Sequence, residues 1–487
     1  MSEGDLLPVG CALGLLGQDD RMLRESCRPP ALHGSLREML RGRRRPETRV
    51  PLPVTTCGQP APGHGCAGSE HRGGERRGPA YGTAVASSDR TRRTLFRPTG
   101  EGHRVTTLEL LFDLVFVFAL TQVTTFLAED VSLRQALRGL VLLALLWFAW
   151  CSYAWLGNQA RADEGVVRAG IVTAMGAVFV AALALPEAWD DEGGGVSAPL
   201  VVAGALAVVR LVHLAVYWVA AGEDHALRRT LSVTAMPVGA AAALLVAGAL
   251  AGGPAQTALW ALALAVDYTG IYVVARRAAW RLPSARHFAE RHGLIIIVAL
   301  GESIVAIGVG IGGRAVTVPV LAAAVLGLAV SVALWWLYFD VVSLVAERVL
   351  AGTTGAARAD LARDSYTYLH FPMVVGIVYL ALGLKKVLEY VADHPLSDPL
   401  KGLGLAALYG GVTLYLLGHV AFRLRNVGSV NWPRVAVALA LLALIPAAAQ
   451  LPAIAALTLL TAVLVGLVAF EAVRYAEARH AIRHAEH

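Results

Sequence analysis

Residues 286–311 read RHFAERHGLIIIVALGESIVAIGVGI, and this stretch decides the fold. Its apolar part, from about Gly293 to Ile311, is long enough to cross a bilayer core of roughly 30 Å. Glu302 sits near the middle of that run. A charge at this depth costs on the order of 2.5–3.5 kcal/mol on insertion scales, so the carboxylate is expected to face protein or water and to be functional. The preceding HFAERHG is expected to close an arginine-rich loop on the cytosolic side. The stretch therefore implies a membrane protein with an interior polar site.

Composition agrees. Of the 487 residues 56% are hydrophobic and 16% charged, with a mean hydropathy of +0.57, more apolar surface than a soluble chain can hide. The net charge of +6 is not read as nucleic-acid binding, because no reader motif accompanies it. Many arginines fall instead between apolar runs, where they report topology.

Outward from the opening stretch, twelve spans are expected. In the first half they lie near 107–128, 137–157, 167–185, 198–221, 231–252 and 255–275. In the second half they lie near 293–311, 316–339, 366–388, 403–422, 434–451 and 453–473. Several are rich in Ala and Gly, which permits close helix approach. With the N-terminus inside, the even-numbered connections, the neighbouring span ends and the C-terminal tail hold eighteen Lys and Arg residues, and the opposite face holds six. That bias places both termini in the cytosol of a bacterial inner membrane, with the acidic EAWDDE at 187–192 outside.

Residues 1–103 differ in kind. They are rich in Arg, Pro and Gly without a sustained period, and read as a disordered extension; the alternative is a start assigned too far upstream, with Val85 as a non-Met start. Four of the five cysteines (Cys11, Cys27, Cys57, Cys66) lie here without metal-ligand spacing. Cys151, inside a span, reads as a small core residue.

An internal repeat is expected, dividing the membrane part into 104–285 and 286–487. Glu109 parallels Glu290, Trp147 and Trp150 parallel Trp335 and Trp336, and His213 parallels His419. The tetrad ARAD recurs at 160–163 and 357–360. Six spans per unit preserve orientation, so the repeats would be parallel, related by an axis along the membrane normal.

The polar residues within the spans are the candidate ion-binding or relay groups. Glu109 and Asp113 lie four apart on one helix face, Asp113 about 6 Å deeper at roughly 1.5 Å per residue. They either share a proton or pair with an arginine to fix packing. Around Glu302, Gly301 admits a neighbouring helix and Ser303 offers a hydroxyl. Arg210 keeps its proton and needs a carboxylate, with Glu302, Asp113 and Asp267 as candidates. His213 shares a face with Arg210, with Tyr217 a turn beyond. Asp267 is a site residue or one half of a packing pair, and His370 and His419 read as structural. Asp340 is expected at an interface, and GIGG at 310–313 as a helix end. No phosphate-binding loop, HExxH or GxSxG is present, so no enzyme of a common type, cofactor or metal site is expected.

The segments VTTLELLFDLVFVFALTQVT and HFAERHGLIIIVALGESIVAIG closely resemble the bacterial low temperature requirement protein A family. The likeness spans about 104–475 and implies a multi-span, all-helical membrane protein. By resemblance, Glu109, Phe112, Asp113, Glu290, Arg291, Gly301, Glu302 and Ser303 fall on the family's motif positions. The function expected is proton- or cation-linked transport of a small solute, with Glu302 and Asp113 binding the ion and Arg210 as their counter-charge or an anion anchor. The alternative is a non-transporting membrane protein of envelope homeostasis or cold adaptation, in which the same charges serve only as packing pairs; the partners expected are the lipid bilayer and a small solute or ion. A third reading is an intramembrane enzyme acting on lipid.

Overall fold

The computed structural model describes residues 100, 102–190, 195–277, 281–400, 402–477, 479 and 480. The expected extension and its four cysteines lie almost wholly outside them, as do residues 191–192 of the acidic loop and the side chains of Arg276 and Arg277.

The described residues are α-helical nearly throughout. The first half holds α1 (Thr107–Glu129), α2 (Leu133–Gln159), α3 (Gly165–Ala184), α4 (Ala198–Ala221), α5 (His225–Ala251) and α6 (Gly253–Arg277). The second holds α7 (Ala285–Ile311), α8 (Val318–Phe339), the short α9 (Val342–Gly352) and α10 (Gly355–Leu361), then α11 (His370–Asp393), α12 (Leu403–Val427), α13 (Trp432–Ala448) and α14 (Ala453–Arg474). A π-helical turn, Ala362–Tyr368, joins α10 to α11. Among the described residues eleven helical stretches are long and apolar enough to cross a membrane; the expected twelfth, α13, is apolar but has only 17 residues. Large apolar side chains such as Leu114, Leu183, Leu250 and Val473 point outward. They suit lipid, where helices satisfy their own backbone groups.

Local signals set the helix ends. Thr106 and Glu109 form a reciprocal capping box at the start of α1, and Ser284 caps α7 by accepting from the His287 amide at 3.2 Å. HFAERHG is thus the first two turns of α7 and not a loop. The apolar run begins later because these turns are buried against protein, where polar side chains find partners. At the other end of α7, Gly312 takes the left-handed conformation (φ 54°) that glycine adopts without penalty.

Where backbones meet, glycine is the reason. A Cβ on Gly376 of α11 would come within 2.5 Å of the Gly411 carbonyl oxygen, and one on Gly411 of α12 within 2.6 Å of the Gly376 oxygen. No side chain intervenes between the two helices there.

Packing follows a parallel order in the two halves: α1 on α2 and α3, α3 on α4, α4 on α5; then α7 on α8 and α11, α11 on α12, α12 on α13. The paired side chains do not share that likeness. Glu109 is buried and Glu290 exposed; Trp147 is 4% exposed and Trp335 is 44% exposed. The sequence parallels alone therefore do not make a repeat.

Candidate functional site: a buried charge network, an isolated carboxylate and a polar cavity

Helices α1 and α7 lie side by side and run in the same direction, because Glu109 meets His287 near their N-termini and Thr121 meets Glu302 further along. Two i,i+4 pairs face each other across this contact. His287 Nε2 lies 3.0 Å from a Glu109 carboxylate oxygen. Arg291 donates to Asp113 at 2.8 Å and to the Glu109 carbonyl at 2.9 Å. The second Asp113 oxygen accepts from Trp150 Nε1 at 2.8 Å, and the guanidinium also lies over the Trp150 ring, 5.4 Å from its centre. All of these groups are buried. Asp113 is thereby committed to a fixed cation, which leaves it poorly suited to exchanging a mobile ion.

Asn158 settles the chemistry of His287. Its amide nitrogen donates to the Ser284 carbonyl at 2.6 Å and its oxygen accepts from the Ser284 amide at 3.3 Å, so the group cannot be flipped. The same nitrogen faces His287 Nδ1 at 3.3 Å. Nδ1 is therefore the acceptor, and Nε2 carries the proton that it donates to Glu109. His103, Glu109 and His287 stand close enough to hold a metal ion together. The fit is poor, because a metal on Nε2 would move the proton to Nδ1, against a fixed donor.

Glu302 is different. It lies about 16 Å beyond Arg291 along α7 at ~1.5 Å per residue and is 1% exposed. Its partner is a hydroxyl: Thr121 donates to it at 2.5 Å. Among the described residues four carboxylates are fully buried: Glu109, Asp113, Asp267 and Glu302. The first three each have a cationic side chain or histidine within 4.0 Å; Glu302 is held by hydroxyls. Ser303, adjacent in sequence, turns away to hydrogen-bond Ser331 of α8 at 2.7 Å. Glu290 is exposed, with the Val105 amide 3.5 Å away.

The expectation that Arg210 serves Glu302 and Asp113 is corrected. Arg210 pairs with Asp267 of α6 at 3.0 Å, reaches Ser152 of α2 and lies 4.7 Å over the Phe148 ring. His213 Nε2 donates to the Ser152 carbonyl at 3.0 Å. Arg210, Ser152, Phe148 and His213, though not Asp267, line a cavity of about 330 Å³ between α2, α4, α5, α6, α10 and the π-helical turn. Trp155, Tyr217 and Tyr368 supply its aromatic faces. Thr367 of the π-helical turn accepts from Trp147 Nε1 at 2.8 Å through its carbonyl and from Trp155 Nε1 at 3.0 Å through its hydroxyl, fixing that wall. π-Helical turns recur at functional sites.

Other expected features fall into structural roles. His370 accepts from the Tyr338 hydroxyl at 2.8 Å, His419 lies 2.6 Å from Arg434, Cys151 is buried and free, and Asp340 ends α8 and meets Arg479 at 3.3 Å. The roles of His287, Asn158 and Thr121, the burial of Arg291 and the cavity are not evident from the sequence. A usable signal existed for two of them: 109/113 and 287/291 share a four-residue spacing, as two parallel helices in contact require.

Helices with apolar outer faces around a charged interior define a multi-span membrane protein. The family model described as bacterial low temperature requirement A protein (LtrA) matches residues 104–469, and the chain belongs to that family. It is 30% identical over 320 residues to an uncharacterized protein of Rhizobium meliloti (strain 1021), RA0937, an alignment covering 64% of this chain and 75% of the relative. No solved structure matches it.

Proposed function

We propose that this protein is a proton- or cation-linked transporter of a small solute, with Glu302 as the ion-binding carboxylate and the Arg210–His213 cavity as the solute site. One observation carries the reading: among the described residues Glu302 is the buried carboxylate with no cationic side chain or histidine within 4.0 Å, and a threonine hydroxyl is its hydrogen-bond partner. A buried carboxylate in that setting is neutralised by a mobile ion, and ion-coupled carriers need such a group. The cavity supports it as well, since 330 Å³ falls within the usual range for small-molecule sites. It opens among the connections that the basic-residue bias marks as cytosolic, in a bacterial inner membrane with both termini inside.

A non-transporting role in envelope homeostasis or cold adaptation is the second reading. It is favoured by the closed pairs Arg291–Asp113 and Arg210–Asp267, which suit rigid packing. Liposomes carrying the purified protein and a trapped pH-sensitive dye decide between them. Transport predicts that an imposed pH gradient, with or without added solute, collapses faster than in empty liposomes; equal rates favour the second reading.

A further inference from the structure

The cavity has a specific hydrogen-bonding demand. Three residues apart on α4, Arg210 and His213 line the same space. Arg210 is 8% exposed; its terminal nitrogens are engaged by Ser152 and Asp267. Its Nε–H is buried without a partner, and so is His213 Nδ1. Because His213 Nε2 donates to a carbonyl, which can only accept, Nδ1 in the neutral ring is a lone pair. Two side chains that line the space therefore hold one unused donor and one unused acceptor. Leaving such groups buried and unmet is costly, and a ligand that meets both removes the cost.

Charge narrows the class. Both arginines on the wall already have carboxylate partners: Arg210 with Asp267 at 3.0 Å, Arg363 with Asp360 at 2.7 Å and Asp364 at 2.8 Å. A charged solute would meet no uncompensated charge and would lose its hydration without return. The aromatic faces of Phe148, Trp155, Tyr217 and Tyr368 suit a flat or apolar body.

We infer that the Arg210–His213 cavity binds a small neutral solute that presents a hydrogen-bond acceptor and a donor side by side, as a primary amide does, with an apolar body against the aromatic wall. The acceptor takes the Arg210 Nε–H and the donor meets His213 Nδ1. This rests on the reading of the cavity as the solute site of a transporter.

The test is ¹⁹F NMR titration of the full-length protein in detergent with 4-fluorobenzamide, 4-fluorobenzoate and 4-fluorobenzylammonium. Two variants accompany it. His213→Phe keeps the ring volume and removes the acceptor; Ala356→Trp adds bulk at the exposed mouth and removes no polar group. Arg210 is left intact because its loss would strand Asp267. The expected result is saturable binding of the amide, at least about tenfold tighter than either ion, weakened at least about tenfold by His213→Phe and blocked by Ala356→Trp, in line with the discrimination that unpaired buried polar groups impose. Preference for the benzoate or the ammonium, no saturable binding of the amide, or amide binding indifferent to both variants would overturn the inference. Amide binding in a protein that moves no protons or solute refutes the transport reading and keeps the site. Proton flux without amide binding refutes the site and keeps transport.

Discussion

Arg291 donates to Asp113 at 2.8 Å, joining α7 to α1 across 178 residues of sequence. Both side chains are almost fully buried, and the remaining Asp113 oxygen is taken by Trp150. Breaking such a pair from one side leaves an uncompensated charge in the interior. Asp113→Asn is therefore expected to cost about 3–5 kcal/mol, measured as loss of folded protein on denaturant titration in detergent. Adding Arg291→Met should recover most of it. If Asp113→Asn alone is as stable as wild type, the pair does not hold the helices together.

The α11–α12 crossing makes a separate prediction. Gly376 and Gly411 bring two backbones into direct contact, and a methyl group on either would meet main-chain atoms that cannot rotate away. Gly411→Ala is expected to destabilise by about 1–3 kcal/mol, while Gly410→Ala, with open space at its Cβ, should be nearly neutral. A melting comparison of the two variants checks this, and equal midpoints would count against the crossing.

His103, in the segment before α1, gives a pH dependence. Burial, followed by the neighbouring His287, holds its pKa below the ordinary histidine value; Glu109 and Asp163 act in the opposite sense and Arg161 in the same sense. A folded-state value below the unfolded one means that folding releases protons. Stability is thus retained above the unfolded value of about 6.5 and lost as pH falls from there through the folded value. His103→Gln should flatten the decline in melting temperature between pH 7.5 and pH 5.5. Parallel slopes for variant and wild type would remove His103 from the account.

Much of this architecture is legible in the sequence, for a physical reason. Apolar length fixes the spans, and the GIGG at 310–313 does end a helix, because Gly312 takes a left-handed conformation. Glu302 is locatable because a carboxylate inside an apolar run has few explanations. Pairing was less accessible. Arg291 reads as a loop residue because polar content hides a helix start that protein, rather than lipid, surrounds. Arg210 had three possible partners in the sequence, and helix packing alone selects Asp267. The cavity has no sequence signature, since its wall draws on four spans, α10 and a π-helical turn that no local pattern announces.

In the proposed transporter Glu302 carries the coupling ion. The most direct measurement is proton flux under an imposed pH gradient in liposomes containing wild type or Glu302→Gln, with melting curves of both proteins. Glutamine keeps the shape and can still accept from Thr121, so the account predicts a fold stable to within about 1 kcal/mol, one ordinary hydrogen bond, and flux reduced to that of empty liposomes. A stable variant that carries protons as fast as wild type, or a variant that fails to fold while wild type carries none, would contradict it.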